Sequence, residues 1–143
     1  MPKSTTTCNN LLGLFYNATA IANIADNAAA SPITTVSVAL ATASYSASST
    51  MSSNETAYTN YARQTVARTI GGWAAPSAGA TSNVAAIEFP QCGVTGATIT
   101  SACTGKGAGA SDIFHYGDLN ASIAVSNQIQ PRFAAGAVTI TET

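Results

Sequence analysis

The hydrophobic period of this chain changes once, at Ser31-Pro32, and that change constrains the fold more than any single motif. Proline fixes its own φ and pushes the preceding residue toward extended backbone, so a helix is expected to end here. Within the region Thr5 to Ala30, Leu11, Leu14, Phe15, Ala18 and Ala22 fall on one helical stripe, with Thr7 as a candidate cap. Gly13, Asn17, Asn23 and Asn27 weaken that helix. Beyond Pro32 the period becomes two. Val36, Val38 and Leu40 alternate with Thr35, Ser37, Ala39 and Ala41, the pattern of a half-buried strand.

The rest of the chain repeats this short-strand pattern between turn residues. Ser44 to Asn54 is rich in Ser and Thr and reads as a loop. Tyr61 to Ile70 is a second strand, stopped by Gly71-Gly72. Trp73 to Ser82 has no period and reads as irregular. Val84 to Phe89, Val94 to Cys103, Asp112 to Leu119, Ser122 to Val125 and a last segment around Val138 and Ile140 complete the strands. A glycine-rich turn, Gly105-Lys106-Gly107-Ala108-Gly109, follows Cys103. Many short strands at turn-rich spacing predict a mainly β fold: an antiparallel β-sandwich or barrel with one N-terminal helix. The length suits one domain over residues 1–143, with a helical or extended arm over 1–30 and a β domain over 34–143. No heptad run or fixed internal repeat marks a fibrous shaft.

Charge narrows the function. Lys and Arg number 5 and Asp and Glu 6, so 8% of the chain is charged. An ordinary soluble domain carries about 25%. With a net charge of −1 and scattered cations, nothing forms a basic stripe for nucleic acid. The longest apolar stretches are far too short for a helical membrane span, and Leu11 to Tyr16 lacks the pattern of a signal peptide. Synthesis in a cytosol is expected. A surface of Ser, Thr, Asn and Ala desolvates at low cost, which suits a protein that works packed against other protein.

The chemistry-bearing residues are few. His115 is the single histidine, and Asp112 with a serine is the nearest approach to a hydrolytic triad. No Gly-x-Ser-x-Gly turn accompanies them. Cys8, Cys92, Cys103 and His115 lack the close spacing of a structural zinc site. Cys92 and Cys103 could face each other across a hairpin, although a cytosolic origin favours thiols. Lys106 is followed by Gly107 and not by Ser or Thr, so the glycine-rich turn is not a phosphate loop. Asp26, Glu55, Glu88, Asp112, Asp118 and Glu142 are dispersed, with no acid–base pair apparent. The expectation is no enzyme, no cofactor and no metal. Trp73, Tyr58, Tyr61 and Asn60 have the chemistry to stack on and hydrogen-bond a sugar, but a core and interface role for these aromatics is favoured.

The order of motifs says more than any one of them. The chain has Asn10-Leu11-Leu12 with Phe15, then Pro32 before Val36-Ser37-Val38-Ala39-Leu40. Tyr61-Ala62-Arg63 with Val66 and Trp73-Ala74-Ala75-Pro76 follow. Then come Ser82-Asn83 with Ala86-Ile87-Glu88-Phe89-Pro90, Tyr116-Gly117-Asp118-Leu119, and Pro131-Arg132-Phe133 running to Ile140. In this order the motifs resemble a family of small tailed-bacteriophage virion proteins, often labelled tail fibre proteins. The resemblance covers most of the chain. It departs in the Ala- and Asn-rich stretch Ala18 to Ala30 and in the loop Ser44 to Asn54.

That resemblance implies a virion structural protein. Compactness and low charge favour capsid decoration: a cement protein binding the major capsid protein and copies of itself, as a homo-oligomer. The alternative is a tail or fibre component that meets the host surface, with Trp73, Tyr58 and Tyr61 as aromatic anchors. Arg63, Arg68 and Arg132 lie within or beside predicted strands and are expected to pair with carboxylates of partner subunits.

Overall fold

The computed structural model describes residues 3–21, 25, 32–107, 109 and 111–143. Ala22, Asn23, Asp26, Asn27, Ala30, Ser31 and Ala108, named above, lie outside the described residues. Among those described, one helix and eight strands follow in the order α1 (Thr5–Asn17), β1 (Thr35–Ala41), β2 (Gln64–Ala67), β3 (Ala80–Ser82), β4 (Ile87–Glu88), β5 (Ala97–Gly105), β6 (Ile113–Val125), β7 (Arg132–Phe133) and β8 (Thr139–Thr141). The fold is mainly β, as the sequence predicts. The described strands form a four-stranded sheet in the order β2-β1-β5-β6 and two ribbons, β3-β8 and β4-β7. The chain divides into two compact units: Met1–Thr35 with Val66–Ala86 and Phe133–Thr143, and Val36–Thr65 with Ile87–Arg132.

The first unit is organised by α1. Ser4, and not Thr7, is its N-cap, and Ser4 Oγ accepts the Thr7 amide at 3.2 Å. The helix ends at Ala18, which takes a left-handed φ of 54°. Its buried residues are Cys8, Leu12, Gly13 and Tyr16. This face is rotated from the expected stripe, so Leu11, Leu14, Phe15 and Ala18 are only half-buried. Tyr16 sets the rotation by packing edge-on against Trp73 at 4.8 Å between ring centroids. Two asparagines anchor the helix, and one of them, Asn17, is a residue expected to weaken it. Asn9 Oδ1 accepts the Gly79 amide at 2.7 Å, and Asn17 Nδ2 donates to Trp73 O at 3.0 Å.

The segment expected to be irregular contains β3, which pairs antiparallel with β8 through Thr81 and Ile140. Asn83, 1% exposed, closes this region. Its Nδ2 donates to Ala85 O and Ala134 O, and its Oδ1 accepts the Val138 amide, each at 2.8 Å. One side chain thus supplies three backbone partners where no regular ladder exists. Gly72 is required by close approach, since a Cβ there would sit 2.1 Å from Ala67 O.

In the second unit β1 is buried on both faces from Val36 to Ala41, not half-buried as the alternation suggests. The small residues explain the difference. Ala39 and Ala41 leave room for Tyr45 and Met51, which join Cys103 in one apolar cluster. Tyr45 and Met51 come from the Ser-rich loop, so that loop is half surface and half core. β1 pairs antiparallel with β5, Val38 opposite Thr104 and Leu40 opposite Ala102. β5 pairs in turn with β6.

The two strands expected over Asp112 to Leu119 and Ser122 to Val125 are joined as β6. The join carries a bulge: Ile99 faces Ile123 but Ser101 faces Asp118. A second irregularity lies near Gly105. Among the described residues β6 ends the sheet. Bulges bend an edge strand and interrupt the flat template that other strands would pair with.

Candidate interaction surface

Glu55 is the centre of a polar cluster in the second unit. Its backbone forms an isolated bridge with Ala41, which fixes its place beside β1. Arg63 Nε donates to Glu55 Oε1 at 2.7 Å and Arg63 Nη2 to Oε2 at 2.7 Å. The Tyr61 hydroxyl donates to Oε1 at 2.9 Å and accepts the Leu40 amide at 3.1 Å. Arg63 also donates to Ser52 Oγ at 3.1 Å and to Gly107 O, tying the glycine-rich turn to the cluster. Bonding to Glu55 pushes the Arg63 pKa up, and burial pushes the Tyr61 phenol up. Arg63 therefore stays cationic, and Tyr61 stays a neutral donor.

Tyr58 is 2% exposed and donates to Pro90 O at 2.8 Å. Burial pushes its phenol up to about 12. It meets Tyr61 edge-on at 5.3 Å, and Tyr61 stacks on Phe89 at 6.4 Å. An open groove of about 770 Å³ lies along this segment, bordered by Ser52, Glu55, Asn60, Tyr61 and Arg63.

Arg68 does different work in the first unit. Its Nε donates to Phe15 O at 2.8 Å, Nη2 donates to Leu14 O, and Nη1 donates to Ile33 O at 3.2 Å. Leu14 and Phe15 lie in the last turn of α1, where carbonyls lack helical partners. No basic residue of the helix itself occupies that turn. Arg68 therefore caps the negative end of α1 from a distant part of the chain. Burial lowers its pKa, from an ordinary value high enough that the guanidinium stays charged at neutral pH.

These placements correct the expected roles of several residues. Arg63 and Arg68 are engaged within the chain and not held ready for partner carboxylates. Trp73 is fully buried against Tyr16, and Tyr58 is buried too, so neither is a surface anchor. Tyr61 is half-buried. Arg132 stays at the surface, 3.9 Å from Glu88, with both side chains more than half exposed. Among the described residues the exposed large apolar side chains are Ile70 and Val84 in the first unit and Val94, Tyr116 and Ile129 in the second.

The other candidate chemistry does not assemble. Cys8, Cys92 and Cys103 are buried free thiols, so Cys92 and Cys103 form no bridge. Burial pushes the Cys103 thiol up, away from the thiolate form. His115 lies on β6 opposite Thr104. Among the described residues no group of three or more His, Cys, Asp or Glu is placed to hold a metal. No helix among them is long and apolar enough to cross a membrane. Glu55 is the functional candidate that the sequence reading missed, because it counted the acids as dispersed. A signal was present: Tyr61 and Arg63, two residues apart, project to the same side of an extended segment.

A family model described as podophage GP4 fiber I protein gp80 matches residues 14–141. The chain belongs to that family. It is a phage virion structural protein of the fibre type, in agreement with the resemblance carried by its ordered motifs. No curated protein matches the chain.

Proposed function

We propose that the protein is a non-enzymatic structural subunit of a phage fibre, seated against other virion protein. The observation that carries this reading is the fibre-protein family match over residues 14–141. The internal pairing of the scarce charges supports it. Glu55 and Arg63 neutralise each other, and Arg68 is spent on helix carbonyls. Few ionised groups then lose hydration when a partner covers the surface.

A second reading is capsid decoration, with the major capsid protein and sister copies as partners. It is favoured by the two compact units and by the lack of any shaft-like helix among the described residues. Quantifying the protein against the major capsid protein in purified particles separates the two. A few dozen copies or fewer, imaged at the tail or neck, supports the fibre. Hundreds of copies spread over the shell supports decoration. Absence from particles contradicts both.

A further inference from the structure

We propose that the groove beside Glu55 and Arg63 is a binding site for a neutral carbohydrate. It is a shallow, open groove of about 770 Å³, so a small ligand would lie along it with one face in solvent. Its chemistry selects the ligand class. Both Glu55 oxygens already accept hydrogen bonds from Arg63, and Oε1 also accepts one from Tyr61, so the carboxylate is not presented to a cation. The Arg63 fork is filled by Glu55, Ser52 Oγ and Gly107 O, which leaves no bidentate face for a phosphate or carboxylate. The paired charges cancel.

The polar groups at the rim are uncharged hydroxyls and an amide, each with one internal bond and further capacity: Ser52 Oγ accepts from Arg63, Thr59 Oγ1 accepts the Thr95 amide, and Asn60 Nδ2 donates to Gln91 O at 3.4 Å. Ser52 and Asn60 are exposed, and Thr59 is half-buried between Tyr58 and Asn60. Hydroxyls and amides both donate and accept, which matches the vicinal hydroxyls of a sugar ring. The rim is also held in place. Asn60 stands at a left-handed φ of 76°, at the tip of a turn closed by Tyr61 N to Tyr58 O at 2.9 Å. The Thr59 amide donates to Thr95 O at 2.8 Å, and Thr59 Oγ1 accepts the Thr95 amide at 2.9 Å. A rim fixed from behind loses little entropy when a ligand orders on it.

The proposal does not depend on where the protein sits in the particle, so its test uses purified full chain. Amide resonances would be followed by NMR during titration with methyl glycosides of glucose, galactose, mannose and N-acetylglucosamine. Glucose 6-phosphate and sulfate serve as charged probes. The expected result is saturable shifts at Ser52, Thr59 and Asn60 with at least one neutral glycoside, and none there with sulfate. Asn60→Gly keeps the left-handed backbone accessible but removes the amide, and is expected to weaken binding about tenfold with the fold intact. Ser52→Ala provides a second rim variant at an exposed position. The proposal is overturned if no glycoside shifts these amides, if the charged probes bind there in preference, or if both variants bind as the parent does.

Discussion

Arg63 and Glu55 meet as a bidentate pair, both bonds at 2.7 Å, with side chains only 15% and 17% exposed. Removing one partner leaves the other partly buried and without its ion pair. Arg63→Met or Glu55→Gln is expected to destabilise by about 1–3 kcal/mol, between the values for exposed and for fully buried pairs. The double variant should lose less than the sum of the two, since neither charge is then left alone. Urea denaturation of the three variants measures the coupling.

Trp73 is the largest fully buried side chain, and its loss empties the centre of the first unit. Trp73→Ala is expected to cost about 3–5 kcal/mol. Its Nε1 has no hydrogen-bond acceptor among the described residues. Trp73→Phe removes that unpartnered donor and fills most of the space with a phenyl ring, so it should cost less than Trp73→Ala. Thermal melts of both variants give the comparison.

Arg68 ties the C-terminal end of α1, through the Leu14 and Phe15 carbonyls, to the Ile33 carbonyl before β1. Lysine keeps the charge but not the planar fork. Arg68→Lys is expected to lose about 1–3 kcal/mol and to fray the last helical turn. Amide exchange at Phe15 to Asn17 would rise while exchange in β5 stays slow.

Burial raises the phenols of Tyr45, Tyr58 and Tyr61 above their ordinary value of 10.0. A raised folded value means that the folded state keeps protons which the unfolded state releases. Stability from these groups is therefore full below pH 10 and falls as pH climbs past it, across the span from 10 to about 12 for Tyr58. Tyrosinate absorbance should lag behind free tyrosine and then rise together with loss of β-sheet signal. Titration of all five tyrosines near pH 10 in a folded protein would contradict this burial.

The strand pattern was legible because side-chain alternation is local: β1, β5 and β8 fall where period two and turn residues put them. The ends were less so. β3, with Ala80 and Ser82 beside a single Thr81, has too little apolar content to show a period, and its pairing depends on β8 far along the chain. The helix stripe was misaligned because Tyr16, a residue with a polar tip, fills the core against Trp73. The arginine roles were hidden for the same reason. Partners of Arg68 lie 53 and 54 residues away, so only the closed fold reveals that this charge is spent inside the chain.

The central claim is that the protein is a particle subunit joined to other virion protein through a surface poor in charge. Gradient-purified particles, washed at low and at high salt, would be analysed for retained protein relative to the major capsid protein. The account predicts the same amount after both washes, because screening weakens only contacts between ionised groups. Protein missing from the particles, or stripped by salt, would contradict it.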